Sequence, residues 1–121
     1  MSDNKQVDLQ HIYGIAGGEE EFVIEIIHNF LDTSVTRLDK LLADLKSNRS
    51  EDLHFDSHKL KGTFRFIGAT GLGNIMEDLE KKSAQGMEIE NVDKVISEVR
   101  ERYVTVVGEL KEILQTLNKP K

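Results

Sequence analysis

Residues 53 to 69 read LHFDSHKLKGTFRFIGA, and this stretch predicts an amphipathic helix. At about 100° per residue, its core-facing side is made of four apolar side chains: Leu53, Leu60, Phe64 and Ile67. His58 falls on the opposite side, which is expected to face solvent. The stretch therefore predicts a helix from about Ser50 to Ile67 that packs one face on a core and exposes a histidine on the other.

Apolar residues recur at helical spacing on both sides of this stretch. Steps of three and four predict further helices from Glu19 to about Ser47, from Thr70 to about Gln85, from Asn91 (as its cap) to about Leu117, and a short leading one over residues 8–15. Glycines separate these segments, the sole proline is Pro120, and no segment alternates long enough for a strand. The predicted fold is all-α: an up-down-up-down four-helix bundle with a short additional N-terminal helix, in one domain over residues 1–121.

The long helix that begins near Glu19 is expected to bury one stripe of apolar side chains. Steps of three and four select them as Val23, Ile27, Leu31, Val35, Leu38, Leu42 and Leu45. Three glutamates at the start of this helix suit the positive end of the helix dipole.

Composition excludes several classes of function. The 121 residues carry 16 Lys and Arg against 22 Asp and Glu, a net charge of −6, which argues against nucleic acid or an anionic membrane as partner. Without cysteine there is no disulfide, thiolate metal site or cysteine nucleophile. The first residues are polar and no run approaches the ~20 apolar residues of a membrane span, so the expected location is the cytoplasm.

The exposed face of the predicted 50–67 helix carries groups that suit phosphoryl transfer. Near His58 on that face lie His54, Lys61, Gly62 and Arg65. Histidine is a nucleophile at neutral pH because a useful fraction of it is uncharged. A glycine inside a helix costs about 1 kcal/mol relative to alanine, so Gly62 is interpreted as leaving room for a group to reach the imidazole. Lys61 would then stabilise a phosphoryl group on His58.

The sequence around His58 resembles the histidine phosphotransfer (HPt) domain of bacterial phosphorelays. The run HKLKGT, from His58 to Thr63, matches the family motif His-x-Leu-Lys-Gly-(Ser/Thr/Ala), and residues 67–69 match the aliphatic-Gly-Ala that follows it. The close match covers roughly residues 53–86 and includes the Leu-Glu pair of the next helix. The sequence departs from the family at Thr63, where Ser or Ala is usual, and at Phe64 and Phe66, which are larger than the usual residues.

This resemblance implies that His58 accepts a phosphoryl group from an aspartyl phosphate on a receiver domain and passes it to another receiver. The implied partners are response-regulator receiver domains and a hybrid sensor histidine kinase. The protein is expected to be a monomeric carrier and not an enzyme, with no ATP site, metal or cofactor, because the receiver contributes Mg²⁺. Family members commonly hold the other imidazole nitrogen with a polar side chain from a neighbouring helix, which the sequence leaves unassigned.

Residues that flank His58 are expected to contact the partner: His54, Lys59, Arg65 and Phe66. Two interpretations of Phe55 and Phe66 stay open. The leading helix covers them with Ile12 and Ile15, or they form a partly exposed apolar docking surface.

Three other classes of protein compete with this interpretation. Glu25 and Glu51 are each followed three residues later by histidine, which is the spacing of di-iron carboxylate bundles. Those ligands must face the bundle interior, and both pairs are expected to point outward. A kinase dimerisation helix typically has Glu or Asp after its histidine, where this chain has Lys59. A non-catalytic helical adaptor is the remaining alternative.

Overall fold

The computed structural model describes residues 5–117, and in that range it contains five helices and no strand. Their bounds are α1 Leu9–Ile15, α2 Glu20–Ser47, α3 Ser50–Phe66, α4 Thr70–Ala84 and α5 Val92–Leu117. The predicted all-α class is confirmed, with helix ends close to those expected. Pro120 and the outermost residues of the predicted single domain lie outside the described range, and the single domain over residues 1–121 stays a prediction.

Helices α2 to α5 form the four-helix bundle. Each helix packs on the next along the chain, and α5 returns to pack on α2, while the short α1 lies against α2. Only residues 48–49 connect α2 to α3 and residues 67–69 connect α3 to α4, so these neighbours run antiparallel. Within the described residues, no helix is both long enough and apolar enough to cross a membrane.

The turn after α3 requires a glycine. Gly68 has φ +82°, in the left-handed region, and the N–H of Ala69 donates to the carbonyl of Phe64 at 2.8 Å to close the helix end. A Cβ at residue 68 would lie 2.8 Å from the carbonyl oxygen of Asp8. The N–H of Asp8 donates in turn to the Gly68 carbonyl at 3.0 Å. This hydrogen bond links the residue just before α1 to the turn after α3.

The apolar face of α3 lies at the centre of the core. Leu53, Leu60, Phe64 and Ile67 are all buried, as their spacing predicts. The ring of Phe64 packs against two other aromatic rings, with centroid distances of 6.0 Å to Phe30 of α2 and 6.4 Å to Tyr103 of α5. Because this face is anchored in the core, the opposite face of α3 is directed to solvent.

The core prediction for α2 is wrong at Val35. Val35 is 45% exposed, whereas its neighbour Ser34 is fully buried. The Ser34 hydroxyl is 2.6 Å from the hydroxyl of Tyr103, so a hydrogen bond satisfies it inside the bundle. A hydrophobic pattern cannot identify an inward position that is occupied by a polar residue.

Candidate functional site

His58 lies in the middle of α3 with its side chain 64% exposed. One turn further along the helix, a Cβ added to Gly62 would have no atom within 4 Å. The surface beside the imidazole is therefore open, which agrees with the interpretation of Gly62 as an access position.

Glu80 of α4 contacts one nitrogen of the imidazole. Its Oε2 is 2.6 Å from Nδ1 of His58. An ionised carboxylate only accepts hydrogen bonds, so in the neutral imidazole this contact places the proton on Nδ1 and the lone pair on Nε2. Glu80 occupies the place of the polar side chain that the sequence left unassigned.

Lys61 extends this contact into a chain of three residues. Its Nζ lies 2.6 Å from Oε1 of Glu80, whose side chain is 16% exposed. Oε1 of Glu80 is buried, and the positive charge of Lys61 compensates its negative charge. Lys61 lowers the pKa of Glu80 below its ordinary value; burial opposes this effect and the hydrogen bond to His58 adds to it. The carboxylate beside the imidazole is therefore ionised at neutral pH.

Two residues that were predicted to contact the partner are engaged with α4. Nδ1 of His54 is 3.2 Å from the backbone carbonyl oxygen of Glu80. Nη2 of Arg65 is 3.2 Å from Oε2 of Glu77, and the stem of Arg65 lies against Gly73, where a Cβ would be 2.8 Å from its Cγ. The flank of His58 that faces α4 is thus occupied by contacts within the chain.

The other predicted partner residues lie on the flank that faces α2. Lys59 holds its Nζ 4.6 Å from the ring centroid of Phe55. Phe55 and Phe66 are 58% and 50% exposed, so the expectation that Ile12 and Ile15 cover them is wrong. Ile12 is buried in the core and Ile15 is itself exposed, and α1 packs mainly on α2.

A groove of about 460 Å³ separates α2 from α3 next to Gly62. It combines apolar, polar and cationic side chains, and its lining residues are Ile26, Asn29, Phe30, Thr33, Arg37, Lys59, Gly62, Thr63 and Phe66. The contribution of α2 to this surface was not predicted from the sequence, because the exposed face of that helix has no motif.

The two Glu-x-x-His pairs lie on the surface. Glu25, His28, Glu51 and His54 are all exposed, so neither pair faces the interior as a di-iron centre requires. Across residues 5–117, no three or more His, Cys, Asp or Glu side chains are grouped so that they could hold a metal ion.

Comparison with known proteins gives a family and a fold. The family model described as Hpt domain matches residues 25–119. The structure is similar to histidine-containing phosphotransfer protein B (HptB) from Pseudomonas aeruginosa PAO1, with a TM-score of 0.82 and 21% identity over 94% of this chain and 98% of that one. It is also similar to the HPT domain of a sensor hybrid histidine kinase from Shewanella, with a TM-score of 0.80 and 18% identity over 94% of this chain and 97% of that one. No curated protein matches the sequence.

Proposed function

The chain belongs to the Hpt domain family and is therefore a phosphorelay intermediate, and we propose that His58 is the residue on which it carries the phosphoryl group. The observation that carries this proposal is the 2.6 Å contact between Nδ1 of His58 and Glu80 on an imidazole that is otherwise exposed. It directs a nucleophilic Nε2 to solvent, where a second protein reaches it.

The transfer step is a displacement at phosphorus. The Nε2 lone pair of His58 attacks the phosphorus of an aspartyl phosphate on a receiver domain. An N–P bond forms while the P–O bond to the aspartyl carboxylate breaks, and its electron pair leaves with that carboxylate. The ring becomes positively charged and keeps its Nδ1 proton, so the ionised Glu80 stabilises it. The same bond changes in reverse deliver the phosphoryl group to a second receiver.

Neighbouring residues support this chemistry in different ways. Gly62 leaves the approach to the ring open. Lys61 keeps Glu80 ionised and adds positive charge close to the incoming phosphoryl group. The protein acts as a carrier that uses no ATP, metal or cofactor of its own. The receiver domain supplies the Mg²⁺ for the transfer. The carrier acts as a cytoplasmic monomer between receiver domains and a hybrid sensor histidine kinase.

The test is transfer of labelled phosphate from a phosphorylated receiver domain. The wild type and the control His28→Gln, which changes another exposed histidine, are expected to accept the label, whereas His58→Gln does not. The label is expected to be lost in acid and to persist in alkali, as phosphohistidine does. Transfer to His58→Gln at the wild-type rate contradicts the proposal, and a wild type that no receiver labels favours the non-catalytic adaptor.

A further inference from the structure

We propose that the Nε2 atoms of His54 and His58 together bind one Zn²⁺ ion, and that the bound ion blocks phosphoryl transfer to His58. The binding part of this proposal depends only on the geometry of the two rings. The blocking part rests on the proposed function, because it takes Nε2 of His58 as the atom that attacks phosphorus.

The two histidines have the spacing of a helical metal site. His54 and His58 are four residues apart in α3, so their side chains lie on one face with Cβ atoms about 5–6 Å apart. Both residues are exposed. The two histidines of the His-Glu-x-x-His motif have the same spacing on a helix, and they bind Zn²⁺ through ring nitrogens about 2.0–2.1 Å from the metal.

Helix α4 holds the two rings in the same way. Nδ1 of His54 lies 3.2 Å from the backbone carbonyl oxygen of Glu80, and Nδ1 of His58 lies 2.6 Å from the carboxylate oxygen Oε2 of the same residue. Both oxygens only accept hydrogen bonds, so each neutral ring carries its proton on Nδ1 and its lone pair on Nε2. Because both Nδ1 atoms contact one residue, the rings lie side by side and both Nε2 atoms point away from α4.

Contacts of this kind also support histidines that bind a metal. A histidine ligand almost always donates its other ring N–H to a carboxylate or a backbone carbonyl, which fixes the tautomer and orients the ring. His58 has the carboxylate partner and His54 has the carbonyl partner. Both ligands are therefore oriented before the metal binds. The proposed transfer step uses only the contact of His58, whereas a second metal ligand accounts for the matching contact of His54.

The charges around the pair permit a cation to bind. Two basic side chains of this face, Lys61 and Arg65, are paired with Glu80 at 2.6 Å and with Glu77 at 3.2 Å. A carboxylate therefore offsets each of them, and the chain as a whole has a net charge of −6.

A pair of imidazole nitrogens favours Zn²⁺ over Mg²⁺. Imidazole is a good ligand for Zn²⁺, whereas Mg²⁺ prefers oxygen ligands, so the Mg²⁺ of a receiver domain does not compete for this pair. Among residues 5–117, no three or more His, Cys, Asp or Glu side chains form a metal site, so water molecules complete the tetrahedron around the ion. The Zn–N bond uses the Nε2 lone pair of His58, and the ring cannot attack phosphorus until the ion leaves.

Zn²⁺ binding is measured on the protein without a polyhistidine tag, by calorimetric titration and by the ¹⁵N chemical shifts of the imidazoles. The variants are His54→Gln and His58→Gln, and the control is His28→Gln, which removes an exposed histidine of α2. Wild type and control are expected to bind one Zn²⁺ ion equally well, with shifts at Nε2 of His54 and His58. Each of the two site variants should bind at least about tenfold more weakly, because loss of an outer-shell partner alone costs about that much. Wild-type affinity in His54→Gln, or shifts at other residues instead, overturns the proposal.

The block is measured with potassium phosphoramidate, a small donor that phosphorylates histidine without a receiver domain. Each rate with Zn²⁺ is divided by the rate of the same variant without Zn²⁺, so any effect of His54 on the reaction itself cancels. At about ten times the dissociation constant of the wild type, wild type and His28→Gln should react about tenfold more slowly, and His54→Gln at most about twofold more slowly.

Equal slowing of wild type and His54→Gln by Zn²⁺ overturns the block, because the ion then acts elsewhere. Neither measurement needs a receiver domain. Failure of the proposed function, which is a wild type that no receiver labels, is therefore detected separately from failure of the zinc site.

Discussion

The two nitrogens of His58 have different surroundings, and this difference selects the one that reacts. Nδ1 is held by Glu80 at 2.6 Å, and Glu80 is held in turn by Lys61 at the same distance. Once the ring becomes cationic, the negative charge of Glu80 lies between the positive charges of His58 and Lys61. The geometry therefore stabilises the phosphorylated ring more than the free one, which is the requirement for an effective acceptor.

Glu80 is expected to act as a positioning residue, and its substitution tests this. A hydrogen bond to a charged group contributes about 1.5–3 kcal/mol, so Glu80→Ala is expected to slow transfer by about tenfold to a hundredfold. The ¹⁵N chemical shifts of the His58 imidazole should also depart from the values of the Nδ1–H tautomer. A purely structural role of Glu80 would not produce this change.

Glu80→Gln is expected to slow transfer less than Glu80→Ala, because the amide oxygen still accepts from Nδ1. Glu77→Gln is the matched control, since Glu77 pairs with Arg65 and has no contact with His58. Unchanged ¹⁵N shifts in Glu80→Ala would show that Glu80 does not select the tautomer.

At the scale of the helices, a cluster of charges joins α2 to α3. Nζ of Lys40 lies 3.3 Å from Oδ2 of Asp44 and 2.8 Å from Oδ2 of Asp56. Burial and the hydrogen bond with Asp56 raise the pKa of Asp44 above its ordinary value. Burial also acts to raise the pKa of Asp56, but the hydrogen bonds with Asp44 and Lys40 outweigh it and leave that pKa lowered. The pKa values of the two carboxyls are therefore shifted in opposite directions, that of Asp44 upward and that of Asp56 downward.

These opposite shifts predict opposite effects of two similar substitutions. Asp56→Asn is expected to destabilise the fold at pH 7 by about 1 kcal/mol, the net value of a hydrogen bond. This difference should shrink as the pH falls through the lowered pKa of Asp56, because its contribution is present above the ordinary value of 3.8 and lost below it.

Asp44→Asn is expected to be neutral or stabilising at pH 7. The raised pKa of Asp44 means that its favourable contribution exists at low pH and is lost as the pH rises through that pKa. Urea unfolding of both variants at pH 7 and pH 3 measures the two effects. Equal destabilisation by both substitutions at pH 7 would contradict these opposite pKa shifts.

The sequence predicted the helices and the exposed face of α3 because a helix that buries one side needs apolar residues at every third or fourth position. It failed at Val35 because Ser34 takes the inward position through its hydrogen bond with Tyr103. It left Glu80 without a role because the pairing with His58 depends on how α3 and α4 pack, and a glutamate on a helix surface has the same local pattern whether it is paired or solvated.

At the scale of the whole molecule, the segment before α1 ties α5 to the end of α3. The carboxylate of Glu109 accepts hydrogen bonds from the backbone N–H groups of Gln6 and Val7 at 2.9–3.0 Å. The next residue, Asp8, donates its backbone N–H to the carbonyl of Gly68. The contacts with Glu109 join residues 102 or 103 positions apart, and Asp8 and Gly68 are 60 positions apart, so no local sequence pattern predicts them.

Glu109→Gln is expected to destabilise the fold by about 1 kcal/mol, because the amide oxygen still accepts a hydrogen bond but the charge of the acceptor is lost. Thermal unfolding should show a melting temperature several degrees lower. Glu112→Gln, an exposed position one turn further along α5, is the control. If both variants melt together at the wild-type temperature, the segment does not stabilise the bundle.

The ³¹P and ¹⁵N NMR spectra of the protein after transfer from a phosphorylated receiver domain show which atom carries the phosphoryl group. We expect one phosphorus atom bonded to Nε2 of His58, with a proton retained on Nδ1 opposite Glu80. Phosphorus on another residue, or on Nδ1 of His58, would contradict it.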